Sequence, residues 1–219
     1  RSVSPRSATS PGRGAGRSSV SIRDAPNPAG GLPLACAPMS ESRVRAAQQS
    51  DVEALAALAA ETFPMACPPE ITDKDIAVFV ETNLSPERFR AHLDAPLHAV
   101  LVHETDEGLD GYLLMMAGDD FLPDPSFGVT HLPAAYLSKC YVRLGSHGGA
   151  VSGALLDEAK RIAADDLHVA SIWLNTSQDN IRARRFYEKH GFVRVGVKTM
   201  PVGDHVCDDY VYEHVLATS

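Results

Sequence analysis

Apolar and polar positions along this chain follow two different periods, and the switch between them predicts the order of helices and strands. Apolar residues three and four apart predict an amphipathic helix after a capping Ser50 or Asp51. Its stripe consists of Val52, Leu55, Leu58, Ala59 and Thr62. The apolar runs 98–103 and 111–116 predict buried strands, and the polar stretch between them predicts a hairpin turn.

The same reading gives the remaining elements of the chain. Ser85 before Pro86 is typical of an N-cap followed by proline at the first helical position. The other predicted elements are a strand at 43–46, helices at about 72–83, 85–93, 150–165 and 180–190, and strands at 135–142, 171–175, 193–197 and 209–216. The order β-ααα-βββ-α-β-α-ββ predicts an α/β (α+β) fold without internal repeats.

Residues 1–38 lack this periodicity and are rich in Ser, Pro, Gly and Arg. Such a composition cannot bury a core, so we expect the segment to be disordered and assign one domain to residues 39–219. A leader rich in Arg and Ser and poor in acids is typical of transit peptides. Translation from a start upstream of Met39, or sequence added for expression, explains it equally, and we favour these explanations.

Charge separates the leader from the predicted domain. The formal net charge is −8, and residues 1–38 hold five arginines and one aspartate, which leaves 15 basic and 27 acidic residues and a net charge of about −12 for residues 39–219. A body of this charge repels nucleic acid and attracts cations, so no nucleic-acid partner is expected. Solubility alone explains the charge, and an acidic site for a cationic substrate is the alternative.

The cysteines and the hydropathy exclude several other classes of protein. The four cysteines, at positions 36, 67, 140 and 207, are far apart and show no C-x-x-C spacing, so neither a metal site nor a disulfide framework is predicted. Reduced thiols fit a cytoplasmic location. No apolar run approaches the roughly 18 residues that a membrane-spanning helix needs, so no membrane partner is expected.

The stretch Asn180–Phe192 carries the strongest chemical signal in the chain. It opens on an Asn that suits a helix N-cap and closes on a Gly that suits the left-handed position after a helix. Ala183, Phe186 and Tyr187 lie at i, i+3 and i+4 and therefore share one helix face. A phenol fixed in this way can protonate a leaving group or donate a hydrogen bond to a thioester.

At these residues the chain resembles the GNAT superfamily of N-acetyltransferases. The family's second motif, N-x-x-A-x-x-F-Y-x-x-x-G-F, is matched at every specified position. The resemblance implies the GNAT acyltransferase fold, a mixed, mostly antiparallel central sheet flanked by helices. It also implies acetyl-CoA as the co-substrate and a small-molecule primary amine as the acetyl acceptor. Tyr187 would be the catalytic proton donor to the thiolate, because the ordinary pKa of a phenol is about 10.

The segment 141–156 predicts a strand, a Gly-rich turn and a helix, whose N-terminal N–H groups can bind phosphate. GNAT proteins grip the coenzyme A pyrophosphate here with Q/R-x-x-G-x-G/A, and the aligned residues His147, Ala150 and Ser152 all depart from that pattern. An ordinary βα turn is the alternative, with His147 either donating to a phosphate or simply exposed. The cofactor-binding residues that the resemblance implies are Cys140, Tyr141, Val142, His147, Gly148, Gly149, Ala150, Val151, Ser152, Gly153, Asn175, Asn180 and Tyr187.

Two roles in this set follow from the resemblance in more detail. A backbone N–H on the strand ending Cys140-Tyr141-Val142, which splays from its neighbour, would polarise the thioester carbonyl, and Asn180 would hold the pantetheine arm or the pyrophosphate. The general base is not identified, because many relatives carry a Glu where this chain has Ser138. The candidates are Glu61, Glu104, His131, His205 and Asp208. A relaying water, or a substrate that loses its proton on binding, is the alternative.

The C-terminal segment 196–210 indicates a subgroup within the family. It resembles the G-x(6)-G-D-x(4)-D tail of PaiA-type spermidine/spermine acetyltransferases, which implies a small cationic acceptor such as a polyamine. Cationic peptides or an aminoglycoside would suit the acidic body equally. A degenerate GNAT domain that binds acyl-CoA as a sensor is one competing function, favoured by the altered loop and opposed by Tyr187 and Asn180. A protein or peptide N-acetyltransferase is another. Many relatives dimerise, so a homodimer is compatible with the resemblance.

Overall fold

The computed structural model describes residues 42–67, 71–146, 150–202 and 205–217. For residues 200–202 and 205–207 it describes the backbone alone. The chain divides into two units, Arg1–Pro38 and Met39–Ser219, and every described residue belongs to the second. The expected disorder of residues 1–38 lies outside the described residues and stays a prediction.

The predicted element order is confirmed. The strands are β1 (Arg43–Ala46), β2 (His98–Thr105), β3 (Gly108–Met116), β4 (Ala134–Val142), β5 (Ser171–Ser177), β6 (Val193–Val202) and β7 (His205–Val215). The helices are α1 (Val52–Thr62), α2 (Asp73–Asn83), α3 (Pro86–Asp94), α4 (Ala150–Asp165) and α5 (Ile181–Lys189).

In the described part of the chain the strands form one seven-stranded sheet in the order β1-β2-β3-β4-β5-β7-β6. Every pairing is antiparallel except that of β4 with β5, which is parallel. The chain reaches β5 from β4 through α4, the crossover that a parallel pair requires. This is the mixed, mostly antiparallel sheet that the GNAT resemblance implies.

Two apolar cores cover the two faces of the sheet. On one face α4 buries Leu155, Leu156 and Ala159 against β3 and β5. On the other, α1 and α3 pack against β2 and β3, with Leu55 and Phe89 fully buried. Burial of large side chains at roughly 25 cal/mol per Å² is the main source of stability on both faces.

Local signals at the helix ends explain where α3 and α5 begin and end. The hydroxyl oxygen of Ser85 accepts from the N–H of Arg88 at 3.4 Å, with Pro86 at the first helical position. The side-chain oxygen of Asn180 accepts from the N–H of Ala183 at 3.0 Å. Gly191 has φ +83°, the left-handed conformation that favours glycine. The predicted boundaries of both helices are therefore confirmed together with their physical cause.

The last two strands are longer than the sequence predicts. The expected strands 193–197 and 209–216 extend into one long hairpin, with Val202 paired to His205. In the sequence, the Gly-Asp pair at 203–204 is a two-residue hairpin pattern. Gly196 lies next to a bulge in β6, and a Cβ there would clash with the carbonyl oxygen of Phe127. The first glycine of the tail pattern is thus explained by close approach of two backbones.

Candidate active site between the diverging strands

The two parallel strands β4 and β5 are paired for only part of their length. Their register runs from Ala134–Ser171 to Tyr136–Trp173, and no further pair joins them in the described residues. β4 continues six residues beyond the last pair and remains bonded to β3 on its other side. Beyond Tyr136 the strands therefore diverge, as the resemblance implied for the strand ending Cys140-Tyr141-Val142, and backbone groups on the inner edge of β4 have no partner on β5.

A cavity of about 600 Å³ opens at this divergence. Its walls come from the diverging strands, from the C-terminal end of α1 with the segment that follows it, from α2, and from α4, α5 and β7. The lining residues used below are Phe63, Phe79, Tyr136, Ser138, Lys139, Cys140, Tyr141, Val142, Ser152, Asn175, Asn180, Ala183, Phe186, Tyr187 and Asp209. A volume of this size suits a small-molecule or cofactor site.

Tyr187 lies on the cavity wall beside Ala183 and Phe186, on the shared face that the sequence predicts. Its ring packs edge-on against Phe186 and Phe192, with centroid distances of 5.3 and 5.5 Å. Burial, and to a smaller extent the nearby thiol of Cys140, raises the pKa of Tyr187 well above its ordinary value. The phenol therefore keeps its proton at neutral pH and is available as a hydrogen-bond donor.

A chain of hydrogen bonds joins three strands at the point of divergence. The hydroxyl of Tyr136 on β4 donates to the side-chain oxygen of Asn175 on β5 at 2.9 Å. The side-chain nitrogen of Asn175 donates to a carboxylate oxygen of Asp209 on β7 at 2.5 Å. Asn175, which the resemblance placed at the cofactor, thus lines the cavity and orients a carboxylate at the same time.

Asp209 is a cavity residue that the sequence analysis did not select. It is 6% exposed, and burial raises its pKa, an effect that the hydrogen bond from Asn175 and the charge of Lys198 oppose. A carboxylate with a raised pKa in a cavity is a candidate general base. One signal in the sequence could have found it, because it is the final Asp of the tail pattern. In the structure it shares the buried face of β7 with Val211 and Glu213.

The five base candidates from the sequence lie elsewhere or are not described. Glu61 accepts from Arg143 at 2.9 Å, and Glu104 accepts from Arg45 at 2.9 Å near the outer strand β1. His131 meets the buried Glu213, and Asp208 is exposed and accepts from Thr199 at 3.0 Å. None of these four lines the cavity, and the side chain of His205 lies outside the described residues.

The start of α4 contributes less to the cavity than the sequence analysis expected. Ser152 lines it, whereas Ala150 is exposed and Val151 and Gly153 are buried. Val151 packs in the core over β3, where a Cβ on Gly111 would meet it at 3.0 Å. Contacts from Val151 and Gly153 to a ligand would therefore have to come from the backbone. His147, Gly148 and Gly149 lie outside the described residues.

Metal-binding clusters and membrane-spanning helices are two features that the sequence does not predict. Among the described residues, no group of three or more His, Cys, Asp or Glu side chains is placed to hold a metal ion. The part of the chain that the structure describes contains no helix of the length and hydropathy that crossing a bilayer requires.

Comparison with solved structures supports the fold. A PaiA N-acetyltransferase from Thermoplasma acidophilum, solved with coenzyme A, superposes with a TM-score of 0.61 at 18% identity, over 80% of this chain and 99% of that chain. The ribosomal-protein-S18-alanine N-acetyltransferase from Escherichia coli gives a TM-score of 0.58 at 14% identity, over 82% and 96% of the two chains. At these identities the likeness concerns the fold alone.

Sequence comparison finds relatives of higher identity. An uncharacterised N-acetyltransferase of Mycobacterium bovis is 39% identical over 162 residues, which cover 74% of this chain and 96% of that protein. Counterparts from two Mycobacterium tuberculosis strains show the same identity and coverage. The model of the acetyltransferase (GNAT) family matches residues 54–192, the segment that holds α4, α5 and the diverging strands. The chain therefore belongs to the GNAT family of acetyltransferases.

Proposed function

We propose that this member of the GNAT family is an enzyme that transfers the acetyl group of acetyl-CoA, the co-substrate of its family, to a primary amine of a small molecule. One observation carries the proposal: the cavity at the divergence of β4 and β5 brings a protonated phenol and a buried carboxylate, Tyr187 and Asp209, into one site. These are the two groups that acetyl transfer to an amine requires, a donor for the leaving sulfur and an acceptor for the amine proton.

The residues present fit a thioester of coenzyme A. Backbone groups on the inner edge of β4, from Leu137 to Val142, have no partner on β5 among the described residues, so they are available to an amide-rich ligand. Ser152 at the start of α4 and Asn180 at the start of α5 line the same cavity, where helix N-termini favour anions. The side-chain oxygen of Asn180 already caps α5, so its role toward a ligand would fall to its amide nitrogen.

Tyr187 would act mainly through hydrogen bonding. Because burial raises its pKa well above the ordinary value, the phenol is a weaker acid than a free tyrosine. Its hydroxyl would therefore stabilise negative charge as it develops on sulfur and release the proton only when that charge is nearly complete. In the overall transfer the amine nitrogen bonds to the acetyl carbon, the carbon–sulfur bond breaks, and the sulfur leaves with the electron pair and takes a proton.

Asp209 would accept the proton that the amine nitrogen loses, directly or through a water. The hydrogen bond from Asn175 fixes one carboxylate oxygen. The pKa of the carboxyl is raised toward the working pH, which makes the carboxylate a better base. The burial of Asp209 and its position in the cavity support this role.

The tail pattern and the cavity lining point to different acceptor amines. The tail pattern and the net charge of the body favour a small cationic amine such as a polyamine, and a spermidine/spermine N-acetyltransferase from Vibrio cholerae shares the fold with a TM-score of 0.55. The cavity itself offers little to a polycation, because Asp209 is the one carboxylate among its described lining residues, beside the basic Lys139 and Arg182. A substrate screen that includes spermidine tests the polyamine.

The test is a thiol-release assay with acetyl-CoA and a panel of polyamines, amino acids, aminoglycosides and peptides. We expect turnover with at least one small amine. Tyr187→Phe should lower kcat by roughly 100-fold, within the range of general acid–base contributions, and should bind coenzyme A normally by calorimetry. Tyr210→Phe is the matched control, because Tyr210 is a half-buried tyrosine outside the cavity, stacked on Arg184 and Arg194.

Asp209→Asn provides the second arm of the test. It should retain coenzyme A binding and lose the acidic limb of the pH dependence of kcat/KM, because no carboxylate remains to ionise there. If the wild-type protein binds coenzyme A but turns over no amine in the panel, the domain is a sensor of acyl-CoA and the enzymatic proposal is wrong. Turnover confined to peptides would identify a protein or peptide N-acetyltransferase.

A further inference from the structure

The central strand β4 carries a lysine that acetyl transfer as described does not use. Lys139 lines the cavity, and its side chain is half-buried. Its ammonium nitrogen contacts the hydroxyl of Ser138 at 3.1 Å and the carbonyl oxygen of Ser138 at 3.3 Å. In the described part of the chain it forms no salt bridge with a carboxylate. A partly buried lysine without a counter-charge loses hydration, and an anionic ligand in the cavity would give it a charge partner.

A β-bulge directs this lysine toward the cavity. In the pairing of β3 with β4, Leu114 faces Lys139 and Met115 faces Leu137, so Ser138 is an extra residue on β4. Bulges of this kind re-aim side chains and are frequent beside active sites. Cys140 and Val142 pack in the core over α4, whereas Lys139 reaches the ring of Phe79 on α2, with 5.7 Å between its nitrogen and the ring centroid.

The other charged groups around Lys139 do not neutralise it. Lys198 on β6 and His92 on α3 are near enough to interact with it electrostatically, and neither carries a negative charge. Asp209 is bound to Asn175, and its negative charge acts on Lys198. Burial and the charge of Lys198 lower the pKa of Lys139 to about 8. Lys139 is therefore mostly protonated at neutral pH and sits in a region with an excess of positive charge.

We propose that Lys139 binds an anionic group of the acetyl acceptor, so that the acceptor is an amine that also carries a carboxylate or phosphonate, as an amino acid does. The stacked rings of Phe63 and Phe79, 4.4 Å apart, form an apolar wall next to the ammonium group. An acceptor that placed its anionic group at Lys139 and its amine near Asp209 would put an opposite charge next to each of these side chains. A polyamine would place a second positive charge close to Lys139 instead.

This inference rests on the proposed acetyl transfer, and the experiment separates the two. Acetyl-CoA turnover is measured with L-alanine and L-alaninamide, with L-methionine and L-methioninamide, with aminomethylphosphonate and with spermidine. The ratio of kcat/KM for each acid to that for its amide is compared between the wild type and Lys139→Met. Comparing ratios cancels the different basicities of the acid and the amide. Lys139→Arg tests rescue by charge, and Lys189→Met is the control at an exposed lysine.

Lys139→Met should lower the acid-to-amide ratio roughly 10- to 100-fold, the effect of losing a charge-assisted hydrogen bond. Lys139→Arg should recover part of the ratio, and Lys189→Met should leave it unchanged. An equal loss for acid and amide would make Lys139 a structural residue and overturn the inference. Turnover of spermidine without any of the anionic amines would also overturn it while leaving the proposed function intact. If no amine reacts, the proposed function itself fails.

A ligand measurement on the wild-type protein covers the case in which Lys139→Met does not fold. In the presence of coenzyme A, the products N-acetyl-L-methionine and N-acetyl-L-methioninamide are compared by thermal shift. The acid should raise the melting temperature more than the amide. An equal or smaller shift for the acid would contradict an anion site at Lys139.

Discussion

The hydrogen-bond chain from Tyr136 through Asn175 to Asp209 allows a quantitative test of what holds the diverging strands in place. Tyr136→Phe removes the donor of the 2.9 Å bond to Asn175 and keeps the ring, which stacks on Trp173 with 4.3 Å between centroids. The phenol is the donor because burial raises its pKa to about 12. The substitution therefore deletes one hydrogen bond with little change in packing.

The expected cost follows from the surroundings of that bond. It lies in a part-buried site and orients an amide that in turn binds a buried carboxylate. Losing one such hydrogen bond costs about 1–2 kcal/mol. For a domain of 150–250 residues, each kcal/mol lowers the melting temperature by about 2–4 °C, so the expected decrease is about 2–8 °C. Urea denaturation should give the same free-energy difference with an unchanged m-value.

Tyr112→Phe is the matched control for this measurement. Tyr112 is fully buried, and its hydroxyl lies beside that of Thr62 without a well-formed hydrogen bond. The neighbouring Thr62 hydroxyl donates to the carbonyl oxygen of Leu58 at 2.8 Å. Removal of the Tyr112 oxygen should change stability by less than about 0.5 kcal/mol, or increase it. If both variants lose the same stability, or if Tyr136→Phe loses none, the bond to Asn175 does not stabilise the divergence and the reasoning is wrong.

Further predictions concern the tail hairpin, helix α4 and acid stability. Gly196→Ala should destabilise the fold by at least about 2 kcal/mol in a urea titration, because its Cβ would clash with the Phe127 carbonyl oxygen. In the same titration Gly153→Ala should be neutral or stabilising by up to about 1 kcal/mol, since its Cβ would meet His190 at an ordinary 3.4 Å. Burial, then the charge of His98, lowers the pKa of His92 from 6.5 to about 4. The unfolded chain therefore binds this proton first, and stability should fall as the pH decreases from about 6.5 to 4, by about 1–2 kcal/mol after allowance for solvent screening. His92→Gln should flatten a melting-temperature profile across that range, and an unchanged profile would count against the assignment.

Much of the fold could be predicted from sequence because local signals and burial agree. The α1 stripe from Val52 to Thr62 is buried as expected, and the cap residues Ser85 and Asn180 accept the hydrogen bonds that start their helices. The face shared by Ala183, Phe186 and Tyr187 lines the cavity. In each case the periodicity of apolar residues, or a capping side chain within a few residues, determines the helix and its buried face.

The residues that were missed depend on pairing between distant strands. Asp208 and Asp209 are adjacent, and only the register with β5 and β6 makes Asp209 buried and Asp208 exposed. Lys139 gave no signal because the bulge at Ser138 interrupts the alternation of β4. The predicted strands 193–197 and 209–216 are shorter than the observed hairpin, because the pairing of β6 with β7 continues past Pro201, a residue type that is rare inside strands. Register and bulges are properties of the sheet, which a single strand's composition does not specify.

The short parallel pairing of β4 with β5 also has a consequence for how the molecule responds to its ligand. Three residue pairs and the side chains above them connect a four-stranded half, β1 to β4, with a three-stranded half, β5 to β7. A ligand that hydrogen-bonds to both inner edges would complete the sheet and link the halves along their whole length. Ligand binding at this position would therefore raise the free energy of unfolding of the domain. The sheet should be more rigid when the cavity is occupied than when it is empty.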